Sequence, residues 1–202
     1  MYRLIVSVLV AGLVAGCVTE RRTDTTRTAT EELLVSTAAD RAAVTLAAAL
    51  PVQSSVYLDT GNLSGDDGKY AIGSIQDALL RRGCVIMPKQ SGASVIVALR
   101  AGALATNSRD TLIGLPAITL PIPLAGAVTT PTVALYDVDK HQGVASFAAT
   151  ATDAKTGRLV ASAGPSFGSS HVTHYTLLLV ISWHRQDIMP KAIDAQDQKT
   201  GW

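Results

Sequence analysis

Cys17 and Cys84 are the two thiols of the 202-residue chain, and its four histidines are the side chains that exchange protons near neutral pH. Cys17 closes an apolar run from Leu4 to Ala15 that follows the short positive start Met1-Tyr2-Arg3, the layout of a secretory signal. At about 1.5 Å per residue, Leu4 to Val18 reaches only roughly 22 Å against a hydrocarbon core of about 30 Å, too short for a spanning helix. Cys84 sits between Gly83 and Val85-Ile86-Met87, without the polar company a nucleophile needs, and reads as a buried, reduced packing thiol. His171-Val172-Thr173-His174 places two imidazoles three apart, with His141 and His184 elsewhere. A strand sends residues three apart to opposite faces, and no third ligand has matching spacing, so these read as solvated loop histidines and no metal ligand is assigned. Ser166, Ser169 and Ser170 lie in a small-residue stretch without the Gly-x-Ser-x-Gly elbow of a hydrolase. Gly61, Gly65 and Gly68 are not followed by the Gly-Lys-Ser/Thr of a phosphate loop, and Asp66-Asp67 offers too few oxygens for calcium. No catalytic residue and no cofactor are expected from these sets. Nucleic acid is not an expected partner either: the net charge is +1, Arg3 is the only charge before Cys17, and 4% aromatics cannot make a stacking platform.

The elements that would hold such groups follow from periodicity. Residues 1–16 read as a signal peptide, 17–30 as a Thr- and Arg-rich tether, 31–190 as one domain and 191–202 as a polar tail. Thr28-Ala29-Thr30-Glu31 has capping-box spacing, and Leu34, Val35, Ala38, Ala39, Ala42, Leu46, Ala49 and Leu50 then recur at helical steps until Pro51. Residues this small predict close packing on a sheet or helix. A strand over 55–59, a helix over 70–82 capped by Gly83, and strands over 85–87 and 94–101 come next, the last apolar enough to be covered on both faces. Thr111 to Val128 is apolar and uncharged with Pro116, Pro121 and Pro123, and reads as a loop over the core or as a segment touching a bilayer or a neighbouring subunit. Strands follow at 132–136, 144–153, 158–163 and 175–183, with a loop at 164–170. Asp153-Ala154-Lys155-Thr156-Gly157 predicts a type I turn closed by Gly157 in the left-handed region. The expected fold is α/β, more strictly α+β: a mixed sheet, two packed helices and a C-terminal antiparallel hairpin.

Val14-Ala15-Gly16-Cys17 resembles the lipobox of bacterial lipoproteins. The resemblance implies that Cys17 receives a diacylglycerol, that cleavage frees its amino group for acylation, and that Val18, where inner-membrane proteins carry Asp, favours the outer membrane. Several stretches are similar to an uncharacterised domain of bacterial lipoproteins: Thr26 to Glu31, Ser36 to Ala42, Tyr57 to Thr60, Ala78 to Arg81, Gly114-Leu115-Pro116 with Pro121-Ile122-Pro123, and Asp153 to Gly157. A more distant likeness, carried by strand 56–59 before a helix and by the Asp-x-x-Thr-Gly turn at 153–157, is to the curli-export and flagellar outer-membrane lipoproteins and the TolB N-terminal domain. With Cys17 as an anchor and no catalytic set in the sequence, the expected role is a non-enzymatic, periplasm-facing domain, with an envelope protein or a second copy as partner. An oligomeric export or pore component is the alternative, though the prolines of Thr111 to Val128 are poor material for barrel strands. A small hydrolase or metal enzyme would need a pocket joining His171 or His174 to a carboxylate.

Overall fold

A computed structural model of the chain describes residues 28–63, 66–115, 118–122, 126–129, 133–178 and 180–190. Cys17, the signal run, most of the tether and the tail from 191 lie outside the described residues. Helix α1 (Ala29–Ala48) starts where the sequence caps it: the Thr28 hydroxyl accepts from the Glu31 amide at 3.3 Å, and the Glu31 carboxylate accepts from the Thr28 amide at 2.8 Å. Strand β1 (Ser55–Asp59) leads into α2 (Asp66–Arg81), four residues earlier than the periodicity places its start. Gly83, at φ +81°, ends α2 with a paired cap in which Cys84 N–H donates to the Leu79 carbonyl and Gly83 N–H to that of Leu80. Cys84 is free and buried, as expected, its thiol 3.3 Å from the Pro51 carbonyl.

The remaining strands are β2 (Val85–Ile86), β3 (Val95–Leu115), β4 (Thr119–Ile122), β5 (Gly126–Thr129), β6 (Val133–Asp153), β7 (Leu159–Leu177) and β8 (Ile181–Gln186). Six of them form a mixed sheet in the order β2-β1-β3-β6-β7-β8, curled into a half-barrel, and β4 pairs with β5 separately. Parallel pairing holds for β1 with β2 and β3; every other pair in the sheet is antiparallel. This is the α+β fold expected. The predicted turn joins β6 to β7: Asp153 Oδ1 accepts from the Thr156 amide at 2.7 Å and its hydroxyl at 2.8 Å, and Gly157 has φ +69°.

Four expectations about the strands are corrected. The strands expected at 132–136 and 144–153 are not separate: residues 133–136 and 144–153 are parts of a single β6 of 21 residues, and residue 132 lies outside the described residues. Gly164 to Ser170 is not a loop; it lies inside β7, and Gly164-Pro165 fall where the register against β6 shifts, so a residue without an N–H costs the ladder no hydrogen bond. Tyr175 to Trp183 is a hairpin, turning at Leu178 with φ 51°. Nor is β3 covered on both faces: Val95, Val97 and Leu99 are buried while Ile96 and Ala98 are half-exposed, because both helices lie on the same side.

On that side α1 buries Ala38, Ala39, Ala42, Ala43 and Ala47. Gly143 and Gly168 take the contact: a Cβ at Gly143 would stand 2.3 Å from the Leu34 carbonyl oxygen, and one at Gly168 2.0 Å from that of Ala38. Two polar neighbours on α1 lock the arrangement. Asp40 accepts hydrogen bonds from Tyr70 (3.1 Å) and Ser74 (2.6 Å) of α2. Arg41 reaches the other way, donating to the Ser169 carbonyl and to Asp187 Oδ2 (2.6 Å) just beyond β8. Burial pushes the Asp187 carboxyl up, but the amide of His171 and the Arg41 guanidinium outweigh it and hold the group below its ordinary range.

Candidate functional site

At about 1.5 Å per residue α1 is roughly 30 Å long, whereas the 21 residues of β3 or β6 span roughly 70 Å, so much of each long strand runs on without a helix above it. Alternation assigns the two faces of this projecting ribbon, because Gly143 and Gly168 mark the helix-bearing side. Continuing outward on that side, Ser108, His141 and Val172 form one cross-strand row, and Asp110, Asp139, His174 and His184 the next. Asp137, Thr176 and Ser182 follow, with Leu112. The opposite side carries Arg109, Lys140, Thr173 and Arg185 in one row, then Thr111, Val138, Tyr175 and Trp183, then Ile113, Tyr136, Leu177 and Ile181.

His141, His174 and His184 are therefore strand residues on one face, not loop histidines. His171 does stand on the opposite face from His174, as their spacing implied; its Nδ1 is 3.1 Å from Asp187 Oδ2. What spacing could not show is that His174 and His184 face each other across β7 and β8, with ring centroids 5.7 Å apart and planes at 40°. His141 Nε2 lies 2.9 Å from Asp139 Oδ2. Asp139 Oδ1 is buried without a hydrogen-bond partner. Hydrogen bonding to the Asp139 side chain, followed by the Asp139 charge, draws the Asp110 carboxyl above its ordinary 3.8. Tyr136-Asp137-Val138-Asp139-Lys140-His141 carried the signal for this face as a two-residue alternation.

Burial, then the charge of His184, pulls His174 below the ordinary 6.5, against a smaller upward pull from Asp139. Unfolded His174 takes its proton near 6.5 and the folded side chain resists it, so this group's contribution to stability is complete above 6.5 and is lost as pH falls through the folded value. An imidazole NMR titration should place the His174 midpoint below 6.5, and His184→Gln should move it upward without bringing it fully back, since burial remains. An unmoved midpoint in the variant would show that the two rings do not interact.

The buried serines of β7 are engaged by neighbouring carbonyls. The Ser170 hydroxyl donates to the Leu34 carbonyl at 2.6 Å and is buried beneath α1, while Ser166 is buried with its hydroxyl near the Gly164 carbonyl. Among the described residues no three His, Cys, Asp or Glu side chains are placed to hold a metal ion. An open groove of about 560 Å³ between α1 and α2, lined by Glu32, Leu33, Val35, Ala39, Asp67 and Tyr70, joins no histidine to a carboxylate.

The described residues between Thr111 and Val128 are not a loop over the core. Thr111–Leu115 ends β3, β4 and β5 pair with each other, and Leu112, Ile113 and Ile118 are exposed; the Ile122 side chain lies outside the described residues. Among the described residues no helix is long and apolar enough to cross a membrane.

Fold and surface together define an α+β domain whose sheet outgrows its helical layer to form a two-faced ribbon. The chain belongs to DUF6655, a family of unknown function, which matches residues 11–198. Comparison with curated proteins gave no match.

Proposed function

We propose that this is a lipid-anchored envelope protein that acts by structure and assembly rather than catalysis, held in the outer membrane at Cys17 with its domain facing the periplasm. The observation that carries the reading is Val14-Ala15-Gly16-Cys17 at the end of a short apolar run. One acyl chain holds a soluble domain only marginally and two or three hold it durably, which is the physical reason for multiple acylation at such a cysteine. Support also comes from the polar groups of the domain, since Asp40, Arg41 and Ser170 are spent on fastening α1 to α2, β8 and the sheet.

A second reading, an oligomeric export or pore component, is favoured by one feature: outward of the basic row, the ribbon alternates polar and apolar side chains across its two faces, the pattern of strands with water on one side and lipid or protein on the other. Against a closed barrel, β7 and β8 turn at Leu178 while the chain between β3 and β6 continues to Ile122 and back.

Cys17→Ser tests the anchor. Replacing the acceptor thiol should lower incorporation of a clickable fatty acid to background and leave an uncleaved precursor held by its apolar run. Labelling equal to that of the parent would overturn the assignment.

A further inference from the structure

We infer that the projecting end of the ribbon is a second, non-covalent membrane contact, dipping its apolar face into an anionic bilayer beside the lipid carried at Cys17. The inference rests in part on the anchor reading above, and its own observations are in the ribbon.

The first is the order of rows on the face opposite the helices. Arg109, Lys140 and Arg185 stand in one row, Thr173 lying between the last two, and all three are exposed. One row further out come Tyr175 and Trp183, stacked with centroids 5.3 Å apart and planes at 7°. Beyond them the surface is apolar and open to solvent: Ile113 is 57% exposed, Ile181 52%, Leu178 56% and Val180 81%. Cations, then aromatic rings, then aliphatic side chains is the sequence of environments a group meets on passing from headgroups to acyl chains. No acidic side chain lies in these three rows of that face.

The second observation is where the chain enters. Leu34 lies over Gly143 and Ser170, while Ala38 lies over Gly168, nearer the start of β7, so the N-terminus of α1 points toward the ribbon end. Cys17 precedes Thr28 by 11 residues, a reach of up to roughly 38 Å when extended. Thr28 lies roughly 9 Å outward of Leu34, and the row of Leu177 roughly 23 Å outward of Ser170, so the acyl chains and the apolar end can enter one leaflet. A second copy fits this face poorly, because packing it against itself brings Arg109, Lys140 and Arg185 against their own kind.

The chain has two tryptophans, so the full, acylated protein carrying Trp202→Phe reports from Trp183 alone. It would be reconstituted into vesicles of phosphatidylethanolamine and phosphatidylglycerol with acyl chains brominated near the headgroup, and the intact mass of the same sample would show whether Cys17 is acylated. Trp183 emission should shift to the blue and lose at least half its intensity to brominated lipid, while quenching by aqueous acrylamide falls severalfold. Val180→Asp with Ile181→Asp should return both to their lipid-free values without lowering the melting temperature, since neither side chain is buried. Lys140→Glu with Arg185→Glu should weaken bromolipid quenching more in phosphatidylglycerol vesicles than in phosphatidylcholine. Trp183 left open to acrylamide and untouched by bromine in an acylated chain overturns the inference and spares the anchor. Quenching by bromolipid in a chain that proves unacylated overturns the anchor and spares the inference. Shielding from both quenchers, with crosslinks between chains, would show a second copy on this face and overturn the lipid contact.

Discussion

Gly168→Val is expected to lift α1 from the sheet and to cost about 3 kcal/mol or more, the upper end of what overpacking a filled interior does. A Cβ at this position would stand 2.0 Å from the Ala38 carbonyl oxygen and 2.6 Å from the Ala42 nitrogen. Those atoms are acceptor and donor of one i to i+4 hydrogen bond of α1, so the new side chain meets backbone, which cannot rotate away. Relief requires the helix to move by more than an ångström. Gly143 holds the preceding turn equally close, and the Arg41 contact with Asp187 would be lost with the shift. Guanidinium unfolding followed by circular dichroism measures the effect, and Gly164→Ala is the control, since a Cβ there meets nothing within 4 Å. A Gly168 variant within half a kcal/mol of the parent would mean that α1 does not lie where the structure puts it.

That contact shows which parts of the fold were legible in the sequence. Chain ends of helices and tight turns depend on neighbours in sequence, so Thr28 with Glu31, Gly83 and Asp153 to Gly157 could be read residue by residue and stand as read. The alanine run of α1 announced a close approach, but its partners, Gly143 and Gly168, lie more than a hundred residues away. For the same reason Gly164 to Ser170 read as a loop: the small residues there answer to a helix lying on them, and Pro165 to a register shift, neither of which local propensity records. The stretch from Thr111 reads as a cover for the core because it is apolar and uncharged, whereas Thr111 to Leu115 finish a ribbon that projects past the core. Of the candidate surface, the alternation in Tyr136 to His141 was visible, but a row of Asp110, Asp139, His174 and His184 depends on three pairings across four strands. Arg41 and Asp187 are separated by 146 positions, and nothing in either segment names the other.

The two phenylalanines of the chain make that dependence on register measurable. Phe147 is 1% exposed, on the helix-bearing face among Leu99, Ala145 and Ala149; Phe167 is 66% exposed on the other face. In the ladder Phe147 pairs with Ser166 and Phe167 with Ser146, so the two rings stand one register step apart on opposite faces, and along β7 that step goes from buried Ser166 to exposed Phe167. Phe147→Ala removes a ring from a packed interior that closes only partly around the gap, and should cost about 3 to 5 kcal/mol. Phe167→Ala removes the same atoms from a position already in water and should change stability by no more than about 0.5 kcal/mol. Composition and hydropathy treat the two substitutions alike, so the difference measures the face assignment itself. Guanidinium midpoints at unchanged slope supply the comparison. Equal losses at both positions would place the two rings in equivalent environments and remove the basis for assigning His174 and Trp183 to opposite sides of the ribbon, because those residues follow from Phe147 and Phe167 by the same alternation along β7 and its partners.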